Sequence, residues 1–136
     1  MVWDAALVMC AYLEKQNNLG GQRVIELGAG TGVCGLAAAL CGAENVLITD
    51  MKDFIPLIEK NIQENKKSLG SMNITGLELD WRQFCQEEDP ENAIEIDGNL
   101  RAKLLQGFDV ILVSDCIYYE RESPSISKGV SRKLRS

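Results

Sequence analysis

The sequence of 136 residues contains no histidine, which excludes histidine-based catalytic triads and most zinc sites. It has no apolar run of about 18 residues, the length that a membrane-spanning helix needs, and no basic stretch of the kind that opens a signal peptide. Positive charge is also scarce, because 14 lysines and arginines face 20 acids and the formal net charge is −6. This balance argues against a general nucleic-acid-binding surface, and the length indicates a single globular domain at most.

Five cysteines are present, an odd number that does not suit a disulfide framework. Three of them, Cys34, Cys41 and Cys116, lie in apolar segments and lack the spacing of metal ligands. We therefore expect reduced, buried thiols in an intracellular protein, located in the cytoplasm with the nucleus as the alternative.

The most informative stretch is the one from Val24 to Gly32, which reads VIELGAGTG. Its apolar start is typical of a buried parallel strand, and its three alternating glycines indicate a turn that a ligand approaches closely. A helical pattern follows Gly32, so the helix should direct its free N–H groups and positive dipole end at that ligand. A strand, glycine loop and helix in this order predict a nucleotide-cofactor site.

Two cofactors compete for this loop. The residues from Gly30 to Gly35 match the G-x-G-x-x-G pattern of NAD-binding proteins, and Asp50 lies near the spacing of a ribose-binding acid. However, Glu26 at the end of the strand would repel a pyrophosphate. A carboxylate there suits a ligand with a cationic, phosphate-free end, and this favours S-adenosyl-L-methionine over NAD.

Strands and helices alternate along the rest of the chain, which predicts a parallel α/β sheet with its ligand site at the carboxyl ends of the strands. The predicted strands cover residues 23–27, 45–49, 73–80 and 108–114. The predicted helices cover residues 3–15, 32–41, 54–66 and 99–105, and Pro56 suits the first turn of the third one.

Two segments lack such patterns. Residues 87–97 hold six acids and Pro90, which predicts a solvated loop. Residues 121–136 are rich in serine, lysine and arginine without periodicity, which predicts a disordered basic tail. We therefore expect a folded domain over residues 1–120 and a tail over residues 121–136.

Several side chains at predicted strand ends are candidate ligand contacts. Glu26 and the backbone of Gly28, Ala29 and Gly30 would hold the methionine end of the cofactor. Asp50 is placed to accept hydrogen bonds from both ribose hydroxyls, with a helix N-cap as its alternative role.

Both tryptophans are ambiguous. Trp81 follows the third predicted strand, where an indole could stack on the adenine, but a core position explains it nearly as well. Trp3 precedes the first helix, and core packing is its alternative too.

The fourth predicted strand ends on Asp115, with Tyr118 three residues later. A carboxylate at this edge can bind an amine and stabilise the positive charge that develops on it, and a tyrosine hydroxyl can orient that amine. Since methyl transfer is an in-line displacement, positioning supplies much of its rate. A strand-end cap beside a packed tyrosine is the alternative interpretation.

Taken together, these motifs resemble the family-16 seven-β-strand protein lysine methyltransferases. The matching segments, in the order found in that family, are VWDAA at 2–6, ELGAGTG at 26–32, TD at 49–50, LDW at 79–81 and DCIYY at 115–119. The resemblance covers residues 2 to about 120. It implies a Rossmann-like fold with strand order 3-2-1-4 and S-adenosyl-L-methionine as methyl donor.

The resemblance also implies cofactor contacts for Trp3, Gly28 to Gly30, Asp50, Trp81 and Ser114, and an active-site role for Asp115 and Tyr118. The implied substrate is a lysine on a folded protein of the AAA ATPase or chaperone class, such as valosin-containing protein.

Family members continue past the D-x-x-Y motif through further strands, so we expect a truncated domain in which strand four is an open apolar edge (Val110, Ile111, Leu112 and Val113) available for self-association. The alternatives are a non-catalytic cofactor-binding remnant or interaction module, and an NAD-dependent oxidoreductase.

Overall fold

The computed structural model of the protein describes residues 4–80 and 97–114, in which helices and strands alternate. The strands are β1 (Arg23–Leu27), β2 (Asn45–Asp50), β3 (Asn73–Glu78) and β4 (Val110–Val113). The helices are α1 (Asp4–Gln16), α2 (Val33–Leu40), α3 (Ile55–Glu64), α4 (Lys66–Leu69) and α5 (Gly98–Gln106), and a 3₁₀ turn over Lys52–Phe54 precedes α3. No helix in these two ranges is long and apolar enough to cross a membrane.

The four strands form one parallel sheet in the order β3-β2-β1-β4, which confirms the predicted order. The two inner strands are the apolar runs on either side of the glycine loop. Val24 of β1 lies opposite Val46 of β2 and Val110 of β4, so the strands align with their carboxyl ends at one edge of the sheet. That edge carries the glycine loop and Asp50.

The two faces of the sheet are covered unequally. One face packs against α1 to α4, and its buried core includes Val24, Val46 and Ile48 of the strands with Cys34 and Ile58 of the helices. The other face is covered by α5, with a smaller core of Ile25, Leu47, Leu79 and Leu100. Because side chains alternate along a strand, the continuous apolar runs of β1 and β2 supply both cores.

Arg23 ties β4 to β1 at the end of the sheet opposite the glycine loop. Its backbone N–H donates to the Asp109 carboxylate at 2.8 Å, and the Asp109 N–H donates back to the Arg23 carbonyl at 2.8 Å. The Arg23 guanidinium donates to the Gly107 carbonyl at 2.9 Å and lies 5.5 Å from the centre of the Phe108 ring. These contacts fix the register of β4 before the strand begins.

The predicted helix over residues 54–66 is shorter in the structure, because α3 ends at Glu64 and a separate turn, α4, follows. Asn65 is the break. Its backbone leaves the helical region with φ −96° and ψ 5°, and its side-chain amide donates to the Asn61 carbonyl at 2.8 Å. Asparagine side chains compete with the helix for backbone carbonyls in this way, which ends the helix two residues early. Pro56 lies in the first turn of α3, as predicted.

Strand β4 forms one edge of the described sheet, and its side chains are exposed only in part. Leu112 is buried and Val110 is half-buried against the α1 and α2 face, whereas Ile111 is 56% exposed and Val113 is 43% exposed on the α5 face. The strand is therefore at the edge of the described sheet, as predicted, although Leu112 and Val110 turn into the core and only Ile111 and Val113 present apolar surface. Of the predicted loop over 87–97, only Asp97 is described, as the N-cap of α5, and the predicted tail over 121–136 lies outside the described residues.

Gly35 lets α2 lie directly on the sheet. A Cβ atom at this position would come within 2.5 Å of the Ile48 side chain and 2.8 Å of the Glu26 carboxylate.

We expect Gly35→Ala to lower the free energy of unfolding by about 1–3 kcal/mol, because overpacking outweighs the gain in helix propensity. Urea unfolding measures this change. Gly98→Ala in α5 is the matched control, since a Cβ there meets no atom within 4 Å and should change stability by less than about 1 kcal/mol. Equal stabilities for the two variants would contradict this packing.

Candidate functional site

The glycine loop between β1 and α2 lies at the carboxyl edge of the sheet and takes a conformation that glycine alone adopts without strain. Gly28, Gly30 and Gly32 have φ values of 63°, 58° and 80°, all in the left-handed region. A Cβ at Gly30 would meet no atom within 4 Å. The space beside Gly30 is therefore open, as close approach of a ligand to the backbone requires.

Backbone hydrogen bonds hold the loop to itself and to β2. The Ala29 N–H donates to the Thr49 carbonyl at 3.0 Å, and the Gly32 N–H donates to the Ala29 carbonyl at 3.0 Å. The Thr49 hydroxyl, in turn, donates to the Glu26 carbonyl at 2.7 Å. The loop is consequently fixed on the sheet before any ligand arrives.

Asp50 ends β2 beside the loop, with its side chain 8% exposed. One carboxylate oxygen accepts the Gly30 N–H at 2.6 Å and the other accepts the Met51 N–H at 2.6 Å. The alternative role as a helix N-cap is not observed, because Met51 precedes the 3₁₀ turn and that turn has no side-chain cap. Each carboxylate oxygen keeps a second lone pair, so Asp50 can hold the loop and still accept a hydrogen bond from a ligand.

Asn61 of α3 is a loop contact that the sequence analysis missed. Its side-chain amide donates to the Thr31 carbonyl at 2.8 Å, across 30 positions of sequence. From sequence alone, a polar residue near the end of an amphipathic helix cannot be told apart from one that faces solvent. The one sequence signal is its spacing, since Asn61 lies one turn after the fully buried Ile58 and so on the core side of α3.

Glu26 is 1% exposed at the carboxyl end of β1, and its carboxylate caps α2. The Gly35 N–H donates to it at 2.7 Å. The N-terminus of α2 is thus partly satisfied from within the protein, and the Gly35 N–H is not among the free N–H groups that could face a ligand. Burial raises the pKa of Glu26 to about 7, against the opposing effect of the Gly35 N–H and with a further increase from the negative charge of Asp50.

Two thiols and a hydroxyl lie next to Glu26, between α1, α2 and the end of β4. The Cys34 thiol lies 3.6 Å from the Ser114 hydroxyl and donates to the Ala6 carbonyl at 3.7 Å. The Cys10 thiol donates to the Val33 carbonyl at 3.8 Å. Burial raises the pKa of Cys34 to about 12, with the charge of Glu26 adding to the increase, and burial also raises the pKa of Cys10. Cys34 is therefore a protonated thiol, free and buried as predicted, whereas Cys41 is free but only half-buried.

The described structure brings part of the predicted site together. Glu26, Gly28, Ala29, Gly30 and Asp50 lie side by side at the carboxyl edge of β1 and β2. Ser114 follows β4 on the other side of β1, against Cys34.

The remaining predicted site residues, Trp3, Trp81, Asp115 and Tyr118, lie outside the described residues, as does Cys116. Residues 4–80 and 97–114 contain no group of three or more side chains suited to hold a metal ion.

Glu26 should make stability depend on pH in a specific direction. Between its ordinary pKa of 4.5 and its folded value of about 7, the folded protein binds more protons than the unfolded chain. The contribution of Glu26 to stability is therefore greatest below pH 4.5 and falls as the pH rises towards 7. Glu26→Gln lacks this titration, so its stability relative to wild type should increase by about 3 kcal/mol over that range. Chemical unfolding at a series of pH values tests this, and a constant difference from pH 4 to pH 8 would contradict it.

Comparison with known proteins gives related sequences over most of this chain. The chain is 38% identical to protein N-lysine methyltransferase METTL21A of Danio rerio over 127 residues, which are 93% of this chain and 51% of the relative. It is 36% identical to EEF1A lysine methyltransferase 3 of Mus musculus over 124 residues, 90% of this chain and 45% of the relative. The chain thus spans about half the length of the curated relatives it matches.

Among solved structures, magnesium protoporphyrin IX methyltransferase from Synechocystis PCC 6803, crystallised with bound SAM, is similar with a TM-score of 0.60. The alignment covers 93% of this chain and 51% of that one at 18% identity, which shows a shared fold. The sequence profile of a family described as lysine methyltransferase matches residues 1–135. With that match and the relatives above, this chain belongs to the lysine methyltransferase family.

Proposed function

We propose that this chain binds S-adenosyl-L-methionine and carries the cofactor-binding part of a protein-lysine N-methyltransferase. The observation that carries the proposal is the open glycine loop held between Glu26 and Asp50 at the carboxyl edge of the inner strands. Family membership and the relatives that are named as lysine methyltransferases support it. The NAD-dependent oxidoreductase alternative finds no support in that family.

The residues present fit this cofactor better than a dinucleotide. Among the described residues, the side chains that hydrogen-bond the backbone between Gly28 and Gly35 are Cys10, Glu26, Asp50 and Asn61, and none of them is cationic. Carboxylates beside the loop would repel a pyrophosphate, whereas they suit the ammonium group of a methionine and the hydroxyls of a ribose. Open space at Gly30 accommodates the ligand.

When bound, S-adenosyl-L-methionine supplies a methyl group on a positively charged sulfur. We expect Asp50 to accept the ribose hydroxyls, and Glu26 with the Gly28–Gly30 backbone to bind the methionine end. Asp115 and Tyr118 would bind and orient the lysine amine, and Trp3, Trp81 and Ser114 would complete the cofactor contacts. These roles follow from the family resemblance.

The substrate we propose is a lysine on a folded protein of the AAA ATPase or chaperone class, such as valosin-containing protein, in the cytoplasm or the nucleus. The name of the mouse relative, EEF1A lysine methyltransferase 3, points to a different protein as a competing candidate. Methylation of purified candidate proteins by the chain, followed by mass spectrometry of their lysines, distinguishes the two.

A second candidate function is cofactor binding without methyl transfer, as a remnant or an interaction module. The observation in its favour is the open β4 edge, where Ile111 and Val113 are exposed immediately before the residues proposed to orient the amine. A chain that binds the cofactor but methylates no protein would support this second function.

Calorimetric titration with S-adenosyl-L-homocysteine tests the cofactor proposal. We expect saturable binding to the wild-type chain and no binding of NADH. Asp50→Ala should weaken the affinity by about 1.5–3 kcal/mol, the scale of a hydrogen bond to a charged group. Asp53→Ala is the control, because Asp53 lies three residues away in the exposed 3₁₀ turn and should leave affinity unchanged. If the folded wild-type chain does not bind S-adenosyl-L-homocysteine, the proposal is refuted.

We also propose that two copies of the chain associate through β4. This edge strand carries no charge, and natural sheets usually protect their edges with charged residues. Ile111→Lys places a charge on the strand, and we expect it to shift the chain from dimer to monomer in sedimentation equilibrium. Leu57→Lys substitutes a comparably exposed residue of α3 and should leave the dimer intact. A wild-type chain that stays monomeric at all concentrations would exclude this association.

A further inference from the structure

We infer that Asn61 is a positioning residue for the cofactor, acting through the glycine loop; the inference rests on the proposed function. Asn61 lies on α3, behind the loop, and its side-chain amide donates to the Thr31 carbonyl at 2.8 Å. Thr31 is the residue between Gly30 and Gly32, both of which have left-handed φ values. This hydrogen bond therefore acts on a residue flanked by two glycines, the residue type with the greatest backbone freedom.

The hydrogen bond fixes the orientation of one whole peptide unit. In a trans peptide the carbonyl of one residue and the N–H of the next point in opposite directions. At the Thr31–Gly32 unit, the carbonyl accepts from Asn61 and the N–H donates to the Ala29 carbonyl. Since both ends are bonded to separate groups, the unit cannot turn over without breaking two hydrogen bonds.

A second unit of the loop is fixed in the same way by Asp50. At the Ala29–Gly30 unit, the carbonyl accepts from the Gly32 N–H and the N–H donates to the Asp50 carboxylate. Two side chains from different elements thus fix alternate peptide units of the loop, Asp50 from β2 and Asn61 from α3. Among the described residues, the Thr31 N–H between these units donates to no group, which leaves it available to a ligand acceptor.

The role of Asn61 is to reduce the loss of loop entropy on ligand binding. Both glycines beside Thr31 lose more backbone freedom on ordering than other residues do. Because α3 is anchored by the fully buried Ile58, Asn61 approaches the loop from a rigid support. A loop that is already ordered binds its ligand more tightly than one that must be ordered by it.

Asn65 provides a matched control. Its side-chain amide also donates to a backbone carbonyl at 2.8 Å, but that carbonyl belongs to Asn61 within the helix, and Asn65 makes no hydrogen bond to the loop. Asn61→Asp and Asn65→Asp remove the same type of donor, add the same charge and keep the same shape. Asn61→Leu and Asn65→Leu repeat the comparison without a charge.

Affinity for S-adenosyl-L-homocysteine and hydrogen exchange of the Gly32 amide, measured by calorimetry and NMR, test the inference. We expect both Asn61 variants to weaken binding about tenfold and to speed exchange at Gly32, whereas the Asn65 variants stay within about twofold of wild type. Thermal unfolding of all four variants separates this effect from general destabilisation.

The outcomes distinguish this inference from the proposed function. If wild type binds the compound and the Asn61 variants bind it equally well, or if Asn61 and Asn65 variants lose affinity to the same degree, the positioning role is wrong and the proposed function stands. If folded wild type does not bind the compound, the proposed function fails and the positioning role fails with it.

Discussion

The hydrogen bond between the buried Glu26 carboxylate and the Gly35 N–H sets the position of α2 on the sheet, and the loop geometry depends on it. A carboxylate that is 1% exposed is costly to ionise, and the positive end of a helix partly offsets that cost. The contact needs glycine at position 35, because a Cβ would collide with Ile48. Three residues of three elements therefore specify one another: Glu26 of β1, Gly35 of α2 and Ile48 of β2.

With the start of α2 fixed in this way, side chains from two further elements hydrogen-bond the glycine loop. Asp50 holds the Gly30 N–H and Asn61 holds the Thr31 carbonyl, so the turn is ordered by side chains that lie behind and beside it. The face of the turn at Gly30 stays open. The loop therefore uses different backbone groups for two purposes. Some hydrogen-bond to the protein and fix the loop conformation, and others stay free for a ligand.

The parts of the fold that could be predicted from sequence are those governed by local pattern. Strands β1 and β2 are built around short apolar runs; Gly28 follows β1, Asn45 and Asp50 are the ends of β2, and the order of the strands in the sheet follows from the right-handed connections. The end of α3 could not be predicted this way, because it depends on whether the Asn65 amide faces solvent or the Asn61 carbonyl. The Asn61 contact likewise depends on tertiary approach across 30 residues, which no local pattern records.

The residues of the candidate site lie on or after strands that differ in how many neighbouring strands they pair with. Glu26 and Asp50 belong to β1 and β2, the inner strands, each of which is paired on both sides. Asp115 and Tyr118, the residues proposed to orient the amine, follow β4, which among the described strands is paired to β1 alone, with the contacts between Arg23 and Asp109 at its far end. Local opening of a structure begins where fewest contacts hold it, so the β4 edge should open before the glycine loop does. Cofactor binding and methyl transfer would then be lost separately. Methyl transfer would be the more sensitive of the two to contacts that cover β4 or expose it.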